Sequence, residues 1–191
     1  NLMYAGSSEG VFLSPDLGDT WSEINNGLWN LEVSSLAIHD GKIFAGTEGG
    51  IYRSDDNGNN WNQINTGLLN TTILSLESDG DFVYAGSEDG FYATMDEGEQ
   101  WTEHNNGLPD STHILSILAR GSRLFAGTAV SGIYFSDNNG GNWSSVNDGL
   151  LYLTINDIET DSGEIYIATN NGGIFKKSLA EAQVTSEGQE W

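Results

Sequence analysis

Carboxylates are the chemically most capable residues of this chain. Twenty-eight Asp and Glu stand against six Lys and Arg, three His and no Cys. A pair of carboxylates facing each other across a cleft hydrolyses glycosides. With so many acidic residues a suitable pair arises by chance in almost any fold, so their number alone does not predict hydrolysis. The lack of Cys excludes disulfides and thiolate metal sites.

Metal binding is the second chemistry that the residue types raise. Asp55, Asn57 and Asn59 alternate as the oxygen ligands of a calcium loop do. The run lacks the downstream bidentate Glu of such loops, and His113 has no second His near it for a zinc site. The sequence therefore predicts no metal and no other cofactor.

The charge narrows the range of partners. A formal net charge of -22 repels nucleic-acid phosphates and anionic membrane surfaces and favours cationic groups. No run of eighteen apolar residues is present. We expect a protein or carbohydrate partner, and neither nucleic acid nor a membrane. The acidic, Cys-free composition, rich in Asn, Gly, Ser and Thr, indicates an extracellular or periplasmic protein.

The sequence contains an internal repeat, and the acidic and amide residues considered above occupy positions within it. Four Trp stand 40, 40 and 42 residues apart, and each ends a phrase with a hydroxyl residue, Asp or Asn, and Gly at fixed offsets. The members of this phrase are Ser14, Asp16, Gly18 and Trp21; Ser54, Asp56, Gly58 and Trp61; Thr94, Asp96, Gly98 and Trp101; and Ser136, Asn138, Gly140 and Trp143. An Asn-Asn-Gly-Leu phrase or a close variant follows each Trp and ends at Leu28, Leu68, Leu108 and Leu150. The longer last interval fits a two-residue insertion around Ala129 and Val130.

Each period contains four short runs of β-branched and aromatic residues separated by Gly, Asp and Asn. The third period shows the first three strands at Ile73–Leu76, Phe82–Gly86 and Phe91–Ala93, and the fourth is expected to begin at the Trp. Four strands in about 40 residues are typical of a propeller blade. The sequence thus predicts an all-β propeller of about five four-stranded blades, with repeat units at about 1–28, 29–68, 69–108, 109–150 and 151–191.

The chemistry of the Trp-containing phrase supports a turn between the third and fourth strands. Its Gly tolerates positive φ. The Asp two residues earlier can accept hydrogen bonds from the amides of the turn, and the Ser or Thr hydroxyl can add another. The Trp is then expected to bury its rings between adjacent sheets.

The pattern Ser/Thr-x-Asp-x-Gly-x-x-Trp resembles the Asp-box, or bacterial neuraminidase repeat, of sialidase-, sortilin- and xyloglucanase-like propellers. It covers four of five units, since Lys177 and Leu179 replace the Ser and Asp of the fifth. The resemblance implies a β-propeller in which the boxes are structural turns rather than sites. Asn138 keeps the acceptor oxygen of the Asp that it replaces.

The resemblance also raises enzymatic functions. A sialidase of this family needs three Arg for the substrate carboxylate, but Arg53, Arg120 and Arg123 lie outside the predicted starts of the innermost strands, and no Arg-Ile-Pro motif occurs. Xyloglucanase-like enzymes resemble two long propellers around one cleft, whereas this chain has room for one. A photosystem-assembly-factor-like chaperone has a basic patch that six cationic residues do not provide. No catalytic site is predicted.

A binding face is the better-supported hypothesis. In a propeller, the loops before the innermost strands and those between the second and third strands share one face. Aromatic residues flanked by amides and carboxylates suit sugars or a basic protein segment. The candidate ligand-binding residues are Trp29, Glu32, Asn70, Asp110, His113 and Tyr152, with Glu9, Glu48, Glu88 and Asp89 in the second set of loops. The function favoured is non-catalytic binding; the alternative is a glycoside hydrolase-like propeller acting on a neutral glycan.

The number of blades depends on the two ends of the repeat. The first unit begins at its second strand, and the fifth runs out after its third. We expect one propeller domain over residues 1–191, closed by a C-terminal segment such as Gln183–Glu187. The alternative is a fragment of a larger, seven- or eight-bladed propeller that another chain or domain completes, in which case the protein forms an oligomer.

Overall fold

A computed structural model describes residues 2–179 and Ala182, and in this part of the chain the only regular structure is β-strand. The predicted closing strand at 183–187 lies outside the described residues. No helix in the described part is long and apolar enough to cross a membrane. In chain order the strands are β1 (Met3–Ser7), β2 (Gly10–Ser14), β3 (Ser22–Glu23), β4 (Val33–His39), β5 (Lys42–Thr47), β6 (Gly50–Ser54), β7 (Asn62–Gln63), β8 (Ile73–Asp79), β9 (Phe82–Ser87), β10 (Gly90–Thr94), β11 (Thr102–Glu103), β12 (Ile114–Arg120), β13 (Arg123–Thr128), β14 (Ile133–Ser136), β15 (Ser144–Ser145), β16 (Ile155–Asp161), β17 (Glu164–Thr169) and β18 (Gly173–Ser178).

The strands form five antiparallel sheets of sequential neighbours, which confirms the predicted all-β repeat. Sheets 2, 3 and 4 each have four strands, β4–β7, β8–β11 and β12–β15. Sheet 1 (β1–β3) and sheet 5 (β16–β18) have three among the described residues. Among the described residues, sheet 1 starts at the second strand of the repeat and sheet 5 contains the first three.

The fourth strand of the repeat, present as β3, β7, β11 and β15, is shorter than expected. It begins at the residue after the Trp and spans two residues, as in β7. The Trp61 backbone amide lies outside the ladder and donates to the carbonyl oxygen of Asn26 (2.9 Å). The Trp backbone therefore joins two sheets instead of extending one.

The chain divides into two compact units. Unit 1 comprises the residues up to Ala85 together with Tyr92–Glu103, and unit 2 comprises Gly86–Phe91 together with the residues from His104 onward. That residues 1–191 form one propeller domain stays a prediction.

Unit 1 contains two apolar layers, which follow from the alternation of side chains along its strands. On β5, Ile43 and Ala45 pack with Val11 and Trp61 in the layer between sheets 1 and 2. The intervening Phe44 points to the opposite side and joins the layer between sheets 2 and 3. Sheet 2 is therefore covered on both faces within unit 1.

Unit 2 repeats this arrangement between sheets 4 and 5. Ile165 and Ile167 on β17 pack against Phe125 and Ile133 of sheet 4. These four side chains are at most 2% exposed. The aliphatic residues of sheet 5 thus occupy the positions that Ile43 and Ala45 hold in sheet 2.

The indole Nε1 of three box Trp residues donates to a backbone carbonyl oxygen of the preceding repeat. Trp61 Nε1 donates to the carbonyl oxygen of Ile24 (2.6 Å), and Trp101 Nε1 donates to that of Ile64 (2.8 Å) in unit 1. In unit 2, Trp143 Nε1 donates to the carbonyl oxygen of His104 (2.9 Å), and its ring meets Phe91 edge-on at 4.9 Å. These Trp are 1–4% exposed. Trp21 differs at 42%, because within unit 1 no described sheet precedes its own.

The Gly of each Asn-x-Gly-Leu phrase makes room for the next Trp. Gly67 has φ +92°, and a Cβ there would overlap the carbonyl oxygen of Trp101. Gly27 and Gly107 stand in the same relation to Trp61 and Trp143. Close approach as well as backbone conformation therefore requires glycine at this position.

We predict that Gly67→Ala destabilises the protein more than Gly163→Ala. Both residues have φ +92°, but a Cβ at Gly163 would have nothing within 4 Å. Gly163→Ala should cost about 1–2 kcal/mol for the left-handed backbone alone, and Gly67→Ala about 1–3 kcal/mol more through steric overlap. Urea unfolding of the two variants measures the difference, and equal midpoints would contradict this account of the Trp junction.

Candidate functional site

The Asp-box turns have a shared hydrogen-bond pattern that the second box shows in full. Ser54 Oγ donates to Asp56 Oδ1 (2.9 Å) and accepts from the amide of Gly58 (2.8 Å). Asp56 Oδ1 also accepts from the amide of Asn60 (2.8 Å), and Oδ2 from Asn60 Nδ2 (2.7 Å). The hydroxyl and the carboxylate are thus engaged by the turn itself.

The same pattern recurs in the other three boxes. Ser14 with Asp16, Thr94 with Asp96, and Ser136 with Asn138 repeat the hydroxyl-to-oxygen bond at 2.6–2.9 Å. Asn138 Oδ1 accepts from the backbone amide of Asn142 (2.9 Å). The side-chain amide oxygen of Asn138 thus accepts the same hydrogen bond as the carboxylate oxygen in the other boxes. This geometry supports a structural role for the boxes.

Hydrogen bonding lowers the pKa of the box carboxyls. The Thr20 hydroxyl, 2.6 Å from Asp16 Oδ2, is the main cause for Asp16, and the Asn60 side chain is the main cause for Asp56. For Asp96 the main cause is the Thr94 hydroxyl. In each of these turns the hydrogen bonds favour the ionised form of the Asp side chain.

We predict that these carboxylates contribute to the acid sensitivity of the fold. A pKa that is lower in the folded state gives stability above the unfolded value of about 3.9, and this stability is lost as the pH falls through the folded pKa. The triple variant Asp16→Asn, Asp56→Asn, Asp96→Asn should fold at pH 7, because Asn138 already closes a box turn. Its thermal midpoint should fall less than that of the wild type between pH 5 and pH 3. Parallel midpoint curves for the two proteins would contradict the prediction.

Two of the three residues considered for calcium make other contacts. Asp55 Oδ1 pairs with Arg53 Nε (2.9 Å), and Asn59 Nδ2 donates to the carbonyl oxygen of Asp56 (2.6 Å). Asn57 has φ +60° at the turn tip. Throughout the described residues, no group of three or more His, Asp or Glu could hold a metal ion.

Arg53 and Arg120 each make contacts within their own unit. In unit 1, Arg53 Nη1 donates to the carbonyl oxygen of Glu97 (2.8 Å) and to Glu99 Oε1 (3.2 Å), while Lys42 pairs with Glu97. Two cationic side chains of sheet 2 thereby bind the Asp-box turn of sheet 3. In unit 2, Arg120 Nη2 donates to Thr160 Oγ1 (3.0 Å) beside the β12–β13 hairpin.

Three of the candidate ligand-binding residues lie on loops of unit 1. Trp29 is 89% exposed, more than any other large apolar side chain among the described residues. Glu32 is exposed, and its amide donates to Asn30 Oδ1 (3.0 Å). Asn70 Oδ1 accepts from the amide of Thr72 (2.8 Å) in the equivalent loop before β8. The Asn side chains therefore order the loops, and Trp29 projects from one of them.

The other three candidates lie on loops of unit 2. Asp110 and His113 are exposed before β12. The carbonyl oxygen of His113 accepts from the amide of Ala129 (3.1 Å), within the predicted insertion between β13 and β14. Tyr152 is 42% exposed, and its ring lies against Gly172 in the β17–β18 turn.

Two loops of unit 2 are joined by hydrogen bonds and carry apolar side chains. The Gly132 amide donates to the carbonyl oxygen of Leu153 (2.9 Å), and Thr154 Oγ1 donates to that of Ala129 (2.7 Å). Val130 is 77% exposed on the first loop. Leu151 is 83% exposed on the second. The insertion thus brings Val130 to the loop that holds Tyr152.

The candidates chosen from the sequence miss a pattern that exposure makes plain. The residue directly after each Asn-x-Gly-Leu phrase is exposed and nonpolar in four repeats. These residues are Trp29, Leu69, Pro109 and Leu151, with Trp29, Leu69 and Leu151 at 77–89% exposure. Alignment of the repeats gives the signal, since the position is nonpolar each time although it lies in a polar loop.

Five antiparallel sheets of sequential strands, closed by box turns, are the blades of a β-propeller. The chain belongs to the family of the DUF6242 beta propeller domain, whose model matches residues 2–112. No curated protein matches the chain in sequence.

Solved structures show the same fold at low identity. The GH74 xyloglucanase from Xanthomonas campestris is similar with a TM-score of 0.75 and 18% identity over 95% of this chain, which spans 35% of that enzyme. The extracellular domain of the putative hybrid two component system BT3049 from B. thetaiotaomicron has a TM-score of 0.72 and 18% identity over 91% of this chain and 26% of its own. YCF48 bound to D1 peptide has a TM-score of 0.70 and 17% identity over 91% of this chain and 60% of its own. This chain thus spans about a third of the xyloglucanase, and the likeness extends to the fold alone.

Proposed function

We propose that this propeller is a non-catalytic binding module whose loops take an apolar, cationic protein segment. The observation that carries the proposal is the repeated exposed position after the Asn-x-Gly-Leu phrase. Three large side chains at this position, Trp29, Leu69 and Leu151, are 77–89% exposed. Exposed apolar patches mark interaction sites, and we propose that the side chains at this position contribute to one.

The loops are well held, which suits binding without much loss of entropy. In unit 1 a local bond from the Glu32 amide to Asn30 Oδ1 orders the Trp29 loop. In unit 2 hydrogen bonds tie the Val130 loop to the Leu151 loop. Side chains presented on ordered loops bind with a smaller ordering cost than those on mobile ones.

The charge indicates the second property of the ligand. Glu9, Glu32 and Glu48 are exposed on the turns and loops of unit 1, in a chain of net charge -22. Such a surface attracts cationic segments and repels anionic ones. The similar propeller YCF48, which is bound to a peptide, supports a peptide as the class of ligand.

We also propose that the protein acts in an extracellular or periplasmic compartment. The acidic, Cys-free composition and the likeness to an extracellular domain support this location. Fractionation of the native host with an antibody to the chain tests it, and recovery in the cytosolic fraction would contradict it.

Selection from a displayed library of random peptides tests the binding function. We expect the wild type to enrich peptides that combine Lys or Arg with aromatic or aliphatic residues. The dissociation constant of the best peptide should rise about thirtyfold or more in Trp29→Ala or Leu69→Ala, which change neighbouring repeats of unit 1, as for residues central to an interface. It should also rise with ionic strength. Fluorescence anisotropy of the labelled peptide measures both effects.

Met95→Ala is the matched control, because Met95 is a 66% exposed apolar residue on a box turn. It should leave the dissociation constant unchanged. A parallel glycan array separates the ligand classes: glycan binding that depends on Trp29, with no enriched peptide, would replace the protein ligand by a carbohydrate. Silence in both screens would overturn the binding function.

A further inference from the structure

Sheet 1 carries an apolar face that is partly uncovered. Met3 and Trp21 are each 42% exposed, and Ala5 and Phe12 are partly exposed beside them in the repeat pattern. We call these four residues the Trp face. Phe12 lies on β2 in the register that pairs it with Glu23, as Tyr52 of sheet 2 pairs with Gln63.

The equivalent face of sheet 2 shows what normally covers such residues. Ile43, Ala45, Tyr52 and Trp61 are 0–3% exposed and pack on Val11 and Leu28 of the preceding repeat. Sheet 3 repeats this with Val83, Ala85, Tyr92 and Trp101 at 0–1%, packed on sheet 2. In sheets 2 and 3 the residues equivalent to the Trp face are therefore buried against the sheet that precedes them in the chain.

Sheet 5 carries the matching, uncovered side of such a junction. Ile174 is 75% exposed, whereas its equivalents Val11, Ile51 and Ile133 are fully buried. Tyr166 and Lys176 lie opposite each other on β17 and β18, in the register that Phe44 and Arg53 hold in sheet 2. We call Tyr166, Ile174 and Lys176 the Ile face.

Charges at the rims of the two faces are complementary. In unit 1, Arg53 reaches Glu99 at 3.2 Å across the junction of sheets 2 and 3. Lys176 is the repeat equivalent of Arg53, and Asp19 is the equivalent of Glu99. The Lys176 side chain is 60% exposed although it pairs with Glu164 (2.9 Å). The chain has only six Lys and Arg, and one of them lies at the rim of the Ile face. This cation favours an acidic counterpart at the rim of the Trp face.

Leu17 adds an apolar side chain to the rim of the Trp face. It is 71% exposed at φ +62°, where the other boxes have Asn57, Glu97 and Asn139. A bulky side chain in this backbone region is uncommon and strained. An apolar contact with a partner would account for a leucine there.

We infer that the Ile face of one copy docks on the Trp face of a second copy, so that sheet 5 precedes sheet 1 across the molecular boundary. The two surfaces differ, so the contact is heterologous, and assemblies grow head to tail until they close or continue as a chain. This assembly is independent of the proposed loop-mediated binding, because neither face includes a loop residue of that site.

Sedimentation equilibrium of the wild type and of two face variants tests the docking. Trp21→Glu disables the Trp face, and Ile174→Glu disables the Ile face. The wild type should associate, and each variant alone should associate about a hundredfold more weakly. Mixed together, the two variants should form a heterodimer that grows no further, because each supplies the face that the other has lost. Met95→Glu, which changes an exposed apolar residue elsewhere, should associate as the wild type does.

A charge-reversal pair gives a second measurement that leaves the apolar contacts intact. Lys176→Glu should weaken association, and mixing it with Asp19→Lys should restore a heterodimer. Circular dichroism and thermal melting establish that each variant is folded. A wild type that stays monomeric at every concentration, or face variants that fail to complement each other, would overturn the docking of two copies.

Discussion

The fold depends on the insertion of three box Trp residues, Trp61, Trp101 and Trp143, into the repeat that precedes each of them. Two donors of one residue, the backbone amide and the indole Nε1 of Trp61, reach carbonyl oxygens of Asn26 and Ile24. The Asp-box turn aims that Trp, and the glycine of the Asn-x-Gly-Leu phrase leaves space for it. The hydrogen bonds of one blade are therefore satisfied by its neighbour, and a blade alone would be an incomplete structure.

Most of the strands and turns could be predicted from the sequence because the same motif repeats along it. The forty-residue spacing, the Gly at positive φ and the hydroxyl–carboxylate pair each have a local cause, so the strands and turns follow from nearby residues. The two-residue insertion at Ala129 and Val130 was also visible in the spacing. Its effect, a link to the Leu153 loop, was not, because it depends on a loop about twenty residues further along.

Exposure was the property that the repeat concealed. Trp21 and Trp61 belong to the same motif, yet only Trp61 is buried, since burial depends on which sheet lies next to the residue. Leu69 and Leu151 follow a conspicuous phrase but lack the aromatic character that drew attention to Trp29. Motif membership thus identifies a turn, whereas the use of its side chains depends on neighbours that no local pattern encodes.

The outermost strands of the four-stranded sheets have a consequence for the behaviour of the protein at high concentration. β7, β11 and β15 are two residues long, and all six side chains are polar and exposed. An edge so short offers few free amides and carbonyls in a row, and side chains of this kind give an approaching strand no apolar surface to cover. The edges formed by β7, β11 and β15 are thereby protected from strand-by-strand addition, the route by which unprotected β-sheets grow into amyloid-like fibres.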